Sequence, residues 1–194
     1  MLFEGVLFAL LVGLLAGGRL HRLNNLPLRY PGLLIISFII QLVIMLPPVR
    51  RWGVLEPYAP WLVVVSYGLL LFALLSNWRL VDLRVMALGV LLNFLVIAAN
   101  AGVMPTSPSA LRRIDRGDLA MRLEKGRYGK NAILRPNTRL AFLGDRFPLP
   151  WPYYPRPCVV SLGDFFITLG AVLLLWRGTG AFGWRAPWTT ESSS

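Results

Sequence analysis

Residues 59–76 read APWLVVVSYGLLLFALLS, a run without one charged side chain and with Pro60 and Trp61 at its head. About 20 consecutive apolar residues, with a range of roughly 17–25, cross the bilayer core as a helix. Only a helix or a closed barrel satisfies its own backbone there. Four further apolar runs accompany this one, at 2–18, 32–47, 80–103 and 159–176. The pattern predicts an all-α membrane protein, a bundle of about five transmembrane helices in a single membrane domain over 1–178. One long extracytoplasmic loop, 104–158, interrupts the bundle, and 179–194 reads as a flexible C-terminal tail.

Composition agrees with that reading. The 194 residues are 56% hydrophobic and 15% charged, against about 25% charged in ordinary soluble domains. The net charge of +11 comes almost wholly from arginine, since Lys125 and Lys130 are the only lysines. These cations lie mostly between apolar runs, where membrane lipids and topology account for them. No nucleic-acid-binding motif accompanies them, so nucleic acid is not an expected partner. Cys158 is the only cysteine and His21 the only histidine. That rules out an intrachain disulfide and the usual Cys/His metal clusters, and no metal or cofactor is expected. His21, close behind Arg19, reads as an interfacial head-group contact.

The run ends are punctuated. Pro27 and Pro31 precede the second run, Pro47 and Pro48 end it, and Pro57 and Pro60 introduce the third. Trp52, Tyr58, Trp61, Trp78, Trp151, Tyr153, Tyr154 and Trp176 sit near run ends, where amphipathic rings suit the head-group layer. The first run lacks a basic n-region and reads as a retained span; its Gly13 and Gly17 form a small-residue pair. The short-loop arginines (Arg19, Arg22, Arg29, Arg79 and Arg84) favour N-out, C-in. Arg112, Arg113, Arg116, Arg139, Arg146 and Arg156 of the long loop then face outward.

Within the loop, Ser107-Pro108 supplies a helix start. Leu111, Ile114, Met121 and Leu123 interleave with arginines, which predicts a basic amphipathic helix broken near Gly117 and ended by Gly126. The proline-rich stretch 143–152 is expected to run extended.

Asp164 stands at the head of the fifth run, and a carboxylate at bilayer depth needs a partner, water or a purpose. Ser161, Asp164 and Thr168 share one helical face, as do Gly89, Asn93, Val96 and Asn100 in the fourth run. A closed bundle would bring the two stripes into one polar recess. Three readings are open. In the first, Ser161 caps the helix, Asp164 is a favourable N-terminal acid, and the chain is a structural or accessory subunit of a membrane complex. In the second, Asp145 and Asp164 are catalytic, two carboxylates sharing a proton for intramembrane hydrolysis. In the third, Asn93, Asn100, Asp145, Asp164, Ser161 and Thr168 bind a lipid-like or membrane-borne partner. Arg139 and Arg146 would then hold its phosphate or carboxylate, so that an anionic lipid or another membrane protein is the expected partner.

The segment Ser161-Leu162-Gly163-Asp164 resembles the last-span aspartate of lipoprotein signal peptidase, but lacks the alanine before the acid. No matching segment surrounds Asp145, and no role is carried over. Asn100-Ala101-Gly102-Val103-Met104-Pro105, Leu143-Gly144-Asp145 and Ser161-Leu162-Gly163-Asp164 together resemble an uncharacterised family of bacterial multipass membrane proteins. There Asn-x-Gly-x-Met-Pro, Leu-Gly-Asp and Ser-x-Gly-Asp recur in that order. The resemblance implies a shared fold, a bacterial plasma membrane location and a site at the loop–membrane boundary. Its key positions would be Asn100, Gly102, Met104, Pro105, Gly144, Asp145, Ser161, Gly163 and Asp164.

Overall fold

A computed structural model describes residues 11–19, 22–23, 26–46, 55, 57–126, 130–150 and 157–181. Residues 2–10 of the first run, His21, Trp52, Trp151, Tyr153, Tyr154, Arg156 and the tail from 182 onward lie outside the described residues. In chain order the named elements are α1 (Pro31–Met45), α2 (Ala59–Ser76), α3 (Val81–Ala99), β1 (Met104–Thr106), α4 (Pro108–Arg113), α5 (Gly117–Glu124), β2 (Asn131–Ile133), β3 (Phe147–Leu149), β4 (Cys158–Val160) and α6 (Leu162–Thr179). The chain is a mostly helical membrane protein. Helices α2, α3 and α6 are long and apolar enough to span a bilayer, and α1 is a shorter apolar helix of 15 residues. Residues 11–15, the described end of the first run, are also helical.

Helix boundaries follow local chemistry. Prolines in the first turn open α1 and α2, where a missing N–H costs no helical bond. Helix α3 stops at Ala99, short of the end of its apolar run at Val103. Ala101 (φ 54°) and Gly102 (φ 80°) take left-handed conformations that turn the chain out of the helix. Helix α6 starts at Leu162, later than its apolar run, because Cys158–Val160 pairs as a strand and Ser161 caps the helix. Its end runs later too: Thr179 is helical and both Thr179 and Ala181 are buried.

Helices α2 and α6 pack against α3, and α1 packs against α2. The core joins Val63, Tyr67 and Leu74 of α2 to Leu83, Ala87, Val90, Val96 and Ile97 of α3. Helices α3 and α6 run antiparallel in close approach, and glycine makes that approach possible. A Cβ on Gly89 would collide with the Gly163 carbonyl oxygen and lie 2.7 Å from the Ile167 nitrogen; one on Gly170 would lie 2.7 Å from the Asp82 carbonyl oxygen. Small residues at such contacts let van der Waals packing hold helices together in lipid, where no hydrophobic force drives their association.

The long loop is a folded unit with its own core, an addition to the all-α expectation. Strands β1 and β2 pair in parallel and β3 and β4 pair antiparallel. The anticipated surface helix is two helices, α4 and α5, separated where Asp115 adopts φ 55°. Ser107 caps α4 by accepting from the Ala110 N–H at 3.3 Å. Leu111, Ile114, Ala120 and Leu123 are buried together against Ile133 and Val159. The apolar face is thus covered by protein. Met121 is a correction: it is 60% exposed, and Ala120 takes the inward position.

Candidate functional site

The three motif segments converge at one end of the α3–α6 pair. Gly163 lies so near α3 that a Cβ there would strike the Asn93 side chain. At this contact Asn93 works in both directions. Its Nδ2 donates to Asp164 Oδ1 at 3.0 Å, and its Oδ1 accepts from the Ser161 hydroxyl at 2.8 Å. Ser161 and Asp164 form a reciprocal capping box. The Asp164 N–H donates to Ser161 Oγ at 3.0 Å, and the Ser161 N–H donates to Asp164 Oδ2 at 3.1 Å. Both oxygens of Asp164 are therefore engaged. The Thr168 hydroxyl donates to the Asp164 carbonyl oxygen at 2.8 Å, a bond within the helix.

Asp145 reaches the same place from the loop. Its N–H donates to the Pro105 carbonyl at 2.8 Å and its own carbonyl accepts from the Ser107 N–H at 2.8 Å, so the residue sits beside Thr106 as an extra strand position. Gly144 before it fits because a Cβ there would stand 2.6 Å from the Pro105 carbonyl oxygen. Arg146 after it donates its N–H to the Val160 carbonyl at 3.0 Å, tying the segment to the strand that leads into α6. Asp145 Oδ2 accepts from Asn131 Nδ2 at 2.9 Å and from the Thr106 hydroxyl at 3.3 Å. Asn131 Nδ2 also donates to Thr106 Oγ1 at 2.8 Å.

A cation, Lys130, acts on both acids. Lys130, whose carbonyl accepts from the Met104 N–H, donates its Nζ to the Tyr67 hydroxyl of α2 at 3.1 Å. Its proton is held above the usual lysine range, chiefly by Tyr67, then by Asp164 and Asp145, with burial acting the other way. Asp145 is only 7% exposed. Burial, followed by the Asp164 charge, pushes its carboxyl up from the ordinary 3.8 to about 7, against the opposing pull of Lys130, Thr106 and Asn131. Two acids and a lysine thus share one field, the circumstance in which one carboxyl keeps its proton near neutral pH.

The other sequence candidates serve the frame. Asn100 Nδ2 donates to the Val96 carbonyl at 2.7 Å and the Arg139 carbonyl at 2.8 Å, while its Oδ1 accepts from the Arg139 N–H at 3.0 Å. Asn100 thereby ends α3 and pins the loop, apart from the hydrogen-bonded network of the acids. Gly102 packs against the Pro60 backbone so closely that no side chain fits. Met104 is buried at 2% exposure, and Arg139 and Arg146 are exposed. Among the described residues no group of His, Cys, Asp and Glu is arranged to hold a metal ion. Sequence reasoning missed Tyr67, Thr106, Lys130 and Asn131. The one available signal was Lys130 itself, one of two lysines in a chain that otherwise uses arginine.

Comparison with known proteins adds the family and leaves the chemistry open. The chain is 27% identical over 177 residues to an uncharacterised protein of Thermotoga maritima, covering 89% of each chain. No solved structure matches it. Residues 25–176, the span that carries α1 through most of α6 and the loop between them, match the model of DUF5317. The chain belongs to DUF5317, a family of unknown function.

Proposed function

We propose that this protein binds the polar part of a lipid-like, membrane-borne partner at the recess formed by Asp145, Asp164, Lys130 and Tyr67. The observation that carries the reading is the convergence of a buried loop carboxyl, Asp145, whose neighbour Arg146 is bonded to the strand leading into α6, with Asp164 at the head of that helix. With one proton on Asp145 and the ammonium of Lys130 present, the recess is close to electrically neutral. It therefore favours a hydrogen-bonding group, such as a hydroxyl or amide, over a bare ion. On this reading the protein sits in the bacterial plasma membrane with its N-terminus out and its C-terminus in, and the loop unit covers the outer mouth. A C-terminal fluorescent fusion that matures only in the cytoplasm tests the orientation.

The partner is tested by extracting lipids from purified wild-type protein and from Asp145→Asn and Asp164→Asn. The wild type should retain a defined amphiphile, and the variants should lose it in graded steps. An identical lipid complement in all three would refute the reading and favour a structural or accessory subunit.

The charge coupling of the two aspartates supports a second reading, hydrolysis of a membrane-borne peptide or ester. Asp164 would accept a proton from water as its oxygen attacks the carbonyl carbon, while Asp145 would give its proton to the carbonyl oxygen. Collapse of the tetrahedral intermediate would then break the C–N or C–O bond, the leaving amine or alcohol taking the proton held by Asp164. That reading predicts complete loss of turnover in either variant while the fold persists.

A further inference from the structure

Beside the aspartate recess, and not formed by its acids, lies an open cleft of about 280 Å³. Its lining mixes apolar residues, among them Val103, Ala132 and Ile133, with the polar Asn100, Arg135, Asn137 and Thr138. The turn that carries Arg135 and Thr138 is held by its own hydrogen bonds. The Arg135 N–H donates to Thr138 Oγ1 at 2.8 Å and the Thr138 N–H donates to the Arg135 carbonyl at 3.0 Å, closing the turn. Asn100 fixes the following Arg139 backbone by two bonds of 2.8 and 3.0 Å.

Arg135 is the only charged residue among the described lining, and no carboxylate shares it. Exposed Arg122 and Lys125 stand next to the lining residues Leu123 and Gly126 and outnumber Glu124 there. The cleft lies where spanning helix α3 ends at Asn100. An arginine beside apolar lining, next to the end of a helix long and apolar enough to span a bilayer, matches an anionic head group followed by methylene carbons. The volume is just under the roughly 300–1,000 Å³ of a drug-sized pocket. It suits a head group and the first part of a chain whose remainder continues into lipid.

We propose that this cleft is a second site, for the anionic head group of a membrane amphiphile, in which Arg135 engages the phosphate or carboxylate and the half-buried Val103, Ala132 and Ile133 contact the adjoining chain. The site stands independently of any role for Asp145 and Asp164.

The test uses full-length protein in nanodiscs containing a photoactivatable phosphatidylglycerol, with mass-spectrometric mapping of the labelled peptides. Labelling should concentrate in 100–106 and 123–138. It should fall about tenfold in Arg135→Glu and be largely retained in Arg135→Lys. It should be weak with a photoactivatable phosphatidylcholine of the same chains. Equal labelling by the two lipids in the wild-type protein would overturn the proposal whatever the variants do, as would undiminished labelling of folded Arg135→Glu. Inorganic phosphate at the lipid's bulk concentration should not compete. Complete competition by phosphate would also overturn it, because the site would then take the anion alone.

Discussion

The two ends of the α3–α6 pair use the same ingredients, aspartate and a cation, in opposite ways. At one end Arg177 Nη1 lies 3.1 Å from Asp82 Oδ1, a direct ion pair whose acid is almost fully buried. At the other end Asp164 is bonded by the neutral Asn93 amide and the Ser161 backbone, Asp145 by Asn131 and Thr106, and Lys130 by Tyr67. The first arrangement cancels charge locally and fixes the helices. The second keeps acids and cation in separate hydrogen-bonded places, so their charges act on one another across the recess. A structural ion pair needs its contact, whereas a recess that handles a polar group or a proton needs its charges poised.

That contrast can be broken most severely at the closed end. Arg177→Ala leaves Asp82 buried without its partner, and removing one member of a buried pair costs about 3–5 kcal/mol. A large drop in detergent melting temperature is expected, with recovery in the double variant Asp82→Asn/Arg177→Met. An unchanged melting temperature in Arg177→Ala would show that the two ends do not differ as described.

The open end should respond to pH. Asp145 has a raised folded-state pKa, so its contribution to stability is full below about pH 4 and is lost as pH rises through about 7. The contribution amounts to at most roughly 4 kcal/mol. Asp145→Asn, which keeps an acceptor and removes the charge, should flatten the melting-temperature profile between pH 4 and 8 and stabilise the protein at the alkaline end. Lys130→Met should move the remaining wild-type transition to higher pH, because Lys130 opposes the rise of the Asp145 pKa. A downward move would contradict the arrangement of the three charges.

A smaller effect is expected where α3 ends at the loop. Asn100→Ala removes bonds that hold the loop to α3, at a cost of about 1–2 kcal/mol. Hydrogen exchange measured by mass spectrometry should rise around Arg139 and leave the Asp82–Arg177 end unaffected.

These distinctions were only partly legible in the sequence. The spans were legible because a bilayer imposes length and apolarity on each helix separately, and Ser161 with Asp164 was legible as a cap because its three-residue spacing is local. Asn93 could be placed on a face, yet its partner on α6 depends on glycines at 89 and 163 drawing two helices together. The loop was read as a surface helix and an extended strap. Its strands are three residues long and its core borrows Ile133 and Val159 from outside the amphipathic stretch, so no periodic signal announces them. Lys130 and Tyr67 meet across 63 positions, a contact that only the fold creates.

The raised pKa of Asp145 puts an exchangeable proton on the loop carboxyl near neutral pH. Infrared difference spectroscopy of the carboxyl C=O stretch between pH 5 and 9 measures this directly in the purified wild-type protein and in Asp145→Asn. The account predicts a protonated-carboxyl band that disappears with a midpoint near 7 and is missing from the variant. A band that survives in Asp145→Asn, or a wild type with no carboxyl titrating above about pH 5, would contradict it.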